Sequence, residues 1–147
     1  MPLPFLFAAA FLVVTGHQAQ VTTAASPSVV HAGDTITLTL DVELKPGMHV
    51  YAPGAEGYIP ISWTLPDSPA YKASDVELPE AHKLYLQAIN ETVPVYEGRF
   101  RVTRKLTIAA PGHITIDGTF RYQACDDQMC YKPEKLPLQW TFTVEHK

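Results

Sequence analysis

"TITLTLDVELKPG", Thr35 to Gly47, decides the fold. Ile36, Leu38, Leu40, Val42 and Leu44 alternate without a break with Thr35, Thr37, Thr39, Asp41 and Glu43. A period of two is that of a strand with one face buried, since successive side chains leave a strand on opposite sides; a helix would need apolar residues every three or four positions. The β-branched Thr, Ile and Val residues suit the same backbone. "KPG", Lys45 to Gly47, then supplies a turn.

The pattern recurs along the chain. Ile59, Ile61, Trp63 and Leu65 form one such series, and Phe100, Val102, Leu106 and Ile108 another, in which Arg104 occupies an apolar position. Ile114, Ile116, Gly118, Phe120 and Tyr122 form a third, and Leu136, Leu138, Trp140, Phe142 and Val144 a fourth. Shorter extended pieces are expected at Met48 to Tyr51 and Tyr71 to Leu78. Thirteen prolines, spread along the chain, argue against long helices because each removes a backbone donor and fixes φ. Short alternating strands separated by "APGAEG", "LPDSP" and "APG" predict an all-β, immunoglobulin-like β-sandwich, with a closed barrel as its competitor.

The 147 residues are 46% hydrophobic and 18% charged with a net charge of -4, which fits one globular domain. No basic stripe is present, so nucleic acid is not an expected partner. "PLPFLFAAAFLVV", Pro2 to Val14, is apolar but short of the roughly 20 residues that span a bilayer. Followed by "TGHQAQVTTAAS", it reads as a signal peptide over residues 1–24, with cleavage after Gly16, after Ala19 or near Ala25. The folded domain is then expected over residues 25–147, exported, with no membrane span once the signal is removed.

Two cysteines, Cys125 and Cys130, lie in "RYQACDDQMCYKPEKLPL", Arg121 to Leu138. Five positions apart, they cannot staple the two sheets as an antibody disulfide does. Three readings of the pair stand side by side. As a brace closing so small a loop, it contributes roughly 2 kcal/mol. As a metal clip it lacks zinc-module spacing, although Cys125, Met129, Cys130 and a distant histidine form a soft set of the kind copper selects. As an exchange site it gains from an exposed, tight loop, where an incoming thiolate can reach a sulfur in line. Asp126 and Asp127 disfavour a Cys125 thiolate on that reading, or simply solvate the loop. Tyr122 and Tyr131 flank the pair as shields, or as ordinary packing.

"YQACDDQMCYKPE", Tyr122 to Glu134, resembles the cysteine loop of the N-terminal periplasmic domain of the DsbD thiol:disulfide interchange family. "LKPGMHVYAP", Leu44 to Pro53, and "VYEGRFRVTRKLTI", Val95 to Ile108, are similar to two further segments of those domains. The resemblance implies an immunoglobulin-like fold whose cysteine pair carries electrons in the periplasm without a bound cofactor or metal. It implies a membrane-embedded thiol reductase as the source of electrons. Thioredoxin-like periplasmic proteins are the implied recipients, among them a disulfide isomerase or cytochrome c maturation factors. Carried over, Cys130 forms the mixed disulfide and Cys125 resolves it. A cap loop is expected around Pro94 to Gly98, with Tyr96 as its shielding aromatic. A noncatalytic immunoglobulin-like binding module braced by a local disulfide is the alternative.

Overall fold

In the computed structural model, which describes residues 12–27 and 29–147, thirteen strands and no helix are found among the described residues. In chain order they are β1 (Leu12–Thr15), β2 (Ala19–Ser26), β3 (Val30–His31), β4 (Thr35–Leu44), β5 (His49–Tyr51), β6 (Ser62–Thr64) and β7 (Tyr71–Ala73). They continue as β8 (His82–Leu86), β9 (Glu91–Glu97), β10 (Arg99–Ile108), β11 (Gly112–Tyr122), β12 (Ala124–Cys125) and β13 (Glu134–Glu145).

The alternation of Thr35 to Leu44 does what its period requires. Ile36, Leu38 and Leu40 are fully buried and Val42 and Leu44 nearly so, while the intervening residues face outward. One sheet runs β1-β2-β4-β10-β7 and a second β3-β13-β11-β6. Their inner faces meet in one apolar core: Val21, Val102, Leu106 and Ile108 join the β4 residues from the first, and Ile116, Phe120, Leu138 and Trp140 come from the second. Trp63 stacks on Trp140 with ring centroids 5.4 Å apart, and each such side chain stabilises the fold by about 1.5–3 kcal/mol through burial. Gly118 leaves room beside this pair: a Cβ there would lie 2.9 Å from Leu65 and 3.1 Å from the Thr64 carbonyl oxygen, so its neighbours would have to give way. The immunoglobulin-like sandwich expected from the sequence is thus the architecture found.

Arg104 breaks the apolar pattern without breaking the strand. Its guanidinium donates to the carbonyl oxygens of Ser74 (2.7 Å) and Trp63 (3.0 Å) and lies 6.0 Å from the Trp63 ring centre. The stem covers apolar surface while the charge ties β10 to β6 across the sandwich.

The Ile59–Leu65 and Tyr71–Leu78 runs shrink to the three-residue strands β6 and β7, the second followed by a lone bridge from Glu77 to Thr103. The boundary between residues 24 and 25 also falls inside β2, which pairs with β4 over eight positions and buries Ala19, Val21 and Thr23. The sheet therefore includes residues 19–24, which the sequence reading gives to the leader. Most of that leader's apolar run, residues 1–11, lies outside the described residues. No helix among the described residues is long and apolar enough to cross a membrane.

A third, smaller sheet, β12-β5-β9-β8, sits at one end of the sandwich. One of its faces joins the main core through Val50, Tyr96 and Ala124. The other carries a separate cluster of Tyr51, Ala55, Val93, Val95 and Cys125. That second face is where the cysteines are.

Candidate functional site: an asymmetric disulfide on the third sheet

Strand β12 is short because the chain turns back at once. Asp126 makes that turn: its carboxylate accepts the backbone N–H groups of Gln128 and Met129, both at 2.8 Å, and the Tyr131 hydroxyl at 3.1 Å. A short acidic side chain that satisfies its own loop's amides is the usual means of stabilising such a turn. Backbone bonds from Asp126 N–H to Met129 O (2.9 Å) and from Tyr131 N–H to Ala124 O (2.8 Å) close the hairpin. Cys125 and Cys130 are then brought opposite each other and joined by a disulfide of 2.03 Å.

The two sulfurs occupy different environments. Cys125 is 2% exposed and belongs to the small cluster, against which Tyr58, Leu84 and Leu86 also pack. Cys130 is exposed, next to an exposed Met129. An attacking thiolate can therefore reach Cys130 and not Cys125.

Strand β5 places two polar side chains under the loop. Cys125 pairs with His49 across β12 and β5, and in an antiparallel ladder paired residues share a face. Tyr51, two residues on, shares that face. Its hydroxyl lies 3.9 Å from Cys130 Sγ and 3.2 Å from His49 Nε2. The Tyr51 ring is stacked on Tyr58 at 4.2 Å and meets His49 edge-on at 5.3 Å. Burial, with a smaller contribution from Tyr58, pushes the Tyr51 phenol up to about 12, so it stays protonated and available as a donor. Burial also pulls His49 below its ordinary value, against the opposing influence of Glu97, Asp127 and Asp126, and favours the neutral ring.

Cys125, Cys130, Asp126 and Tyr131 come together in the hairpin. Asp127 is exposed and borders a groove formed with Met48, His49, Glu97 and Gly98. Asp126 acts chiefly on the backbone, and hydrogen bonds from Gln128 and Met129 hold its carboxyl below the usual carboxylate range. Tyr122 does not shield the cysteines: it is 1% exposed in the main core, and its hydroxyl accepts the Gln18 N–H at 3.3 Å.

The cap assigned to Tyr96 is also corrected. Tyr96 pairs with Val50, on the face opposite Cys125, where it stacks on Phe100 and donates its hydroxyl to the Pro79 carbonyl at 2.8 Å. The residues that share the cysteine face are Val93 and Val95 of β9, with Leu84 and Leu86 of β8 packed against the same cluster. His49 and Tyr51 are the members of the site that the sequence reading did not single out, although both lie in the quoted "LKPGMHVYAP" segment. Among the described residues, no group of three or more His, Cys, Asp or Glu is placed to hold a metal ion.

These features define an immunoglobulin-like domain that carries one disulfide at its loop end, with one sulfur exposed and the other buried. The chain belongs to the family of the N-terminal domain of the thiol:disulfide interchange protein DsbD, whose family model matches residues 17–139. Among solved structures it is similar to the N-terminal periplasmic domain of ScsB from Proteus mirabilis, at 18% identity and a TM-score of 0.62 over 88% of this chain. The match spans only 50% of the ScsB chain. The reduced-form N-terminal domain of DsbD from Neisseria meningitidis is similar at 12% identity and a TM-score of 0.55, covering 89% of this chain and 86% of that one. The GAE domain of GGA2p from Saccharomyces cerevisiae shares the fold at 7% identity and a TM-score of 0.53, over 89% of this chain and 97% of that one. No curated protein sequence matches the chain.

Proposed function

We propose that this chain is an exported thiol–disulfide interchange domain that carries two electrons on the Cys125/Cys130 pair. They pass from a membrane-embedded thiol reductase to thioredoxin-like periplasmic proteins. The observation that carries the reading is the asymmetry of the pair, with Cys130 open to a partner and Cys125 enclosed beside it.

In the reduced domain the Cys130 thiolate attacks one sulfur of a partner disulfide. A Cys130–partner S–S bond forms, the partner's own S–S bond breaks, and the second partner sulfur leaves as a thiolate. Cys125 then loses its proton and attacks Cys130 Sγ, which re-forms the Cys125–Cys130 bond and releases the other partner sulfur. The partner gains two electrons, and with two protons becomes a dithiol, while this chain becomes the disulfide. The reductase reverses both steps. Tyr51, held by His49, donates a hydrogen bond to the Cys130 sulfur and favours its thiolate over its thiol.

The loop's own bonding supports exchange over bracing. Asp126 and the two backbone bonds already fix the turn, so a cross-link that is opened and closed need not take the hairpin with it. The test is a Cys125→Ser variant mixed with an oxidised thioredoxin-like protein, together with the reduction potential of the native pair. Accumulation of a mixed disulfide through Cys130 is expected. Failure to trap one, with a potential below about -300 mV, would instead mark a structural brace on a binding module.

A further inference from the structure

The three cleavage positions compatible with the leader have different consequences for the fold. Removal of residues through Ala25 deletes nearly all of β2 and empties the places of Ala19, Val21 and Thr23, all at most 3% exposed. Removal through Ala19 takes the first of these together with Gln18, whose carbonyl oxygen accepts the Lys45 N–H at 2.9 Å. Among the described residues, removal through Gly16 deletes β1 and Gly16; β1 has no fully buried residue, its half-buried Val14 packs on the edge of the core, and Leu12 and Val13 are 42% and 50% exposed. Gly16 also places a small residue immediately before that bond, where a signal peptidase requires one, at the end of an apolar run that closes with Val14.

The residue that becomes first is already held. The His17 backbone nitrogen lies 3.1 Å and 3.3 Å from the two carboxylate oxygens of Glu134, and the His17 ring reaches the same carboxylate. Glu134 is only 20% exposed. It pairs with Tyr122 in the last rung of β11–β13, from which the cysteine loop emerges. A Cβ at position 16 would crowd the Glu134 carboxylate and lie 2.7 Å from the Tyr122 hydroxyl, so a larger residue there would have to push those side-chain ends aside.

We infer that a signal peptidase hydrolyses the Gly16–His17 bond, and that the α-ammonium so created docks on Glu134 as an ion pair at the base of the cysteine loop. Water adds across the amide during translocation, leaving a carboxylate on Gly16 and an amine on His17 that takes up a proton. A neutral amide donor is thereby replaced by a cation facing both oxygens of a carboxylate, the stronger kind of hydrogen bond. The inference rests on the export reading and is independent of whether the cysteines exchange.

The test uses the protein recovered from the periplasm of a Gram-negative host expressing residues 1–147. Intact mass fixes the first residue, and NMR titration of the isotopically methylated α-amine reads the ion pair. The expected result is a chain starting at His17, with its α-amine raised by about one unit, a tenfold tighter hold on the proton, over the usual 7.7–8.0. That shift is expected to vanish in Glu134→Gln. Because Glu134→Gln also removes the loop-base contacts, a second variant carrying one extra residue before His17 serves as control and should titrate normally. A first residue at 20 or 26, or an unshifted amine on His17, overturns the ion pair. Retention of Met1 means that export itself has failed, and the ion pair falls with it.

Discussion

The hydroxyl of Tyr51 stands 3.9 Å from the sulfur of Cys130, and its other neighbour is His49 Nε2 at 3.2 Å. A phenol buried beside a sulfur stabilises that sulfur most when it is negative. Hydrogen bonds to charged groups contribute about 1.5–3 kcal/mol, and the lower end suits a sulfur open to water. Tyr51→Phe should therefore slow exchange at neutral pH on the order of tenfold, about 1.4 kcal/mol, and move the pH of half-maximal Cys130 alkylation upward. Stopped-flow exchange with a small disulfide and an iodoacetamide pH profile read both. An unchanged profile would show that Tyr51 only packs.

The exposure difference within the pair predicts an order of modification. In the fully reduced domain, a bulky maleimide should label Cys130 first, with Cys125 following only on unfolding, because Cys125 is 2% exposed within the Tyr51, Ala55, Val93 and Val95 cluster. Peptide mass mapping after brief labelling decides this. Equal labelling of both cysteines would remove the attacking and resolving roles.

Much of the sandwich was legible from the sequence because burying one face of a strand writes a period of two into it, as in Ile36 to Leu44 and Leu136 to Val144. The β8–β9 hairpin was not legible. Its exposed positions His82, Lys83 and Tyr85 leave only Leu84 and Leu86 to mark a face, and its turn, Gln87 to Asn90, contains neither Gly nor Pro. Asn90 takes the positive φ of 52° that a glycine would usually signal. The cysteines were legible as a site, whereas their neighbours required a long-range register. Nothing local to Cys125 indicates that it pairs with His49, or that Tyr96, one residue out of phase with Val95, turns its ring into the opposite core.

That half-period gives a prediction for Tyr96. Tyr96→Phe removes a hydroxyl that donates to the Pro79 carbonyl and should cost about 1 kcal/mol of stability in a urea titration. The exchange rate should stay at the wild-type value. A faster air oxidation of the reduced pair in this variant would restore Tyr96 to the role of cap.

Acid should loosen the cysteine hairpin through Asp126. Bonds from the Gln128 and Met129 amides hold its folded pKa below the ordinary 3.8. A depressed carboxyl contributes stability that is present above the unfolded value and is lost as pH falls through the folded one. Hydrogen-exchange protection at Gln128 and Met129 should thus persist through mild acid and disappear below the usual carboxylate range. Asp126→Ala should lack that protection at every pH. Retained protection in the variant would assign the turn to the disulfide alone.

His49 sets a second and milder acid limit. Burial lowers its folded pKa below 6.5, so the unfolded chain takes up a proton first as pH drops. Stability is therefore flat with respect to this group above 6.5, and declines from there until the folded ring also protonates. Glu97, Asp127 and Asp126 all act in the opposite sense and narrow that window without closing it. His49→Gln, which keeps a polar group facing Tyr51 but does not titrate, should remove the decline in thermal midpoint below 6.5 and leave the lower transition of Asp126 in place. If the midpoint of the variant falls in parallel with that of the native domain, the ring is already solvated and the support it gives Tyr51 must come from elsewhere.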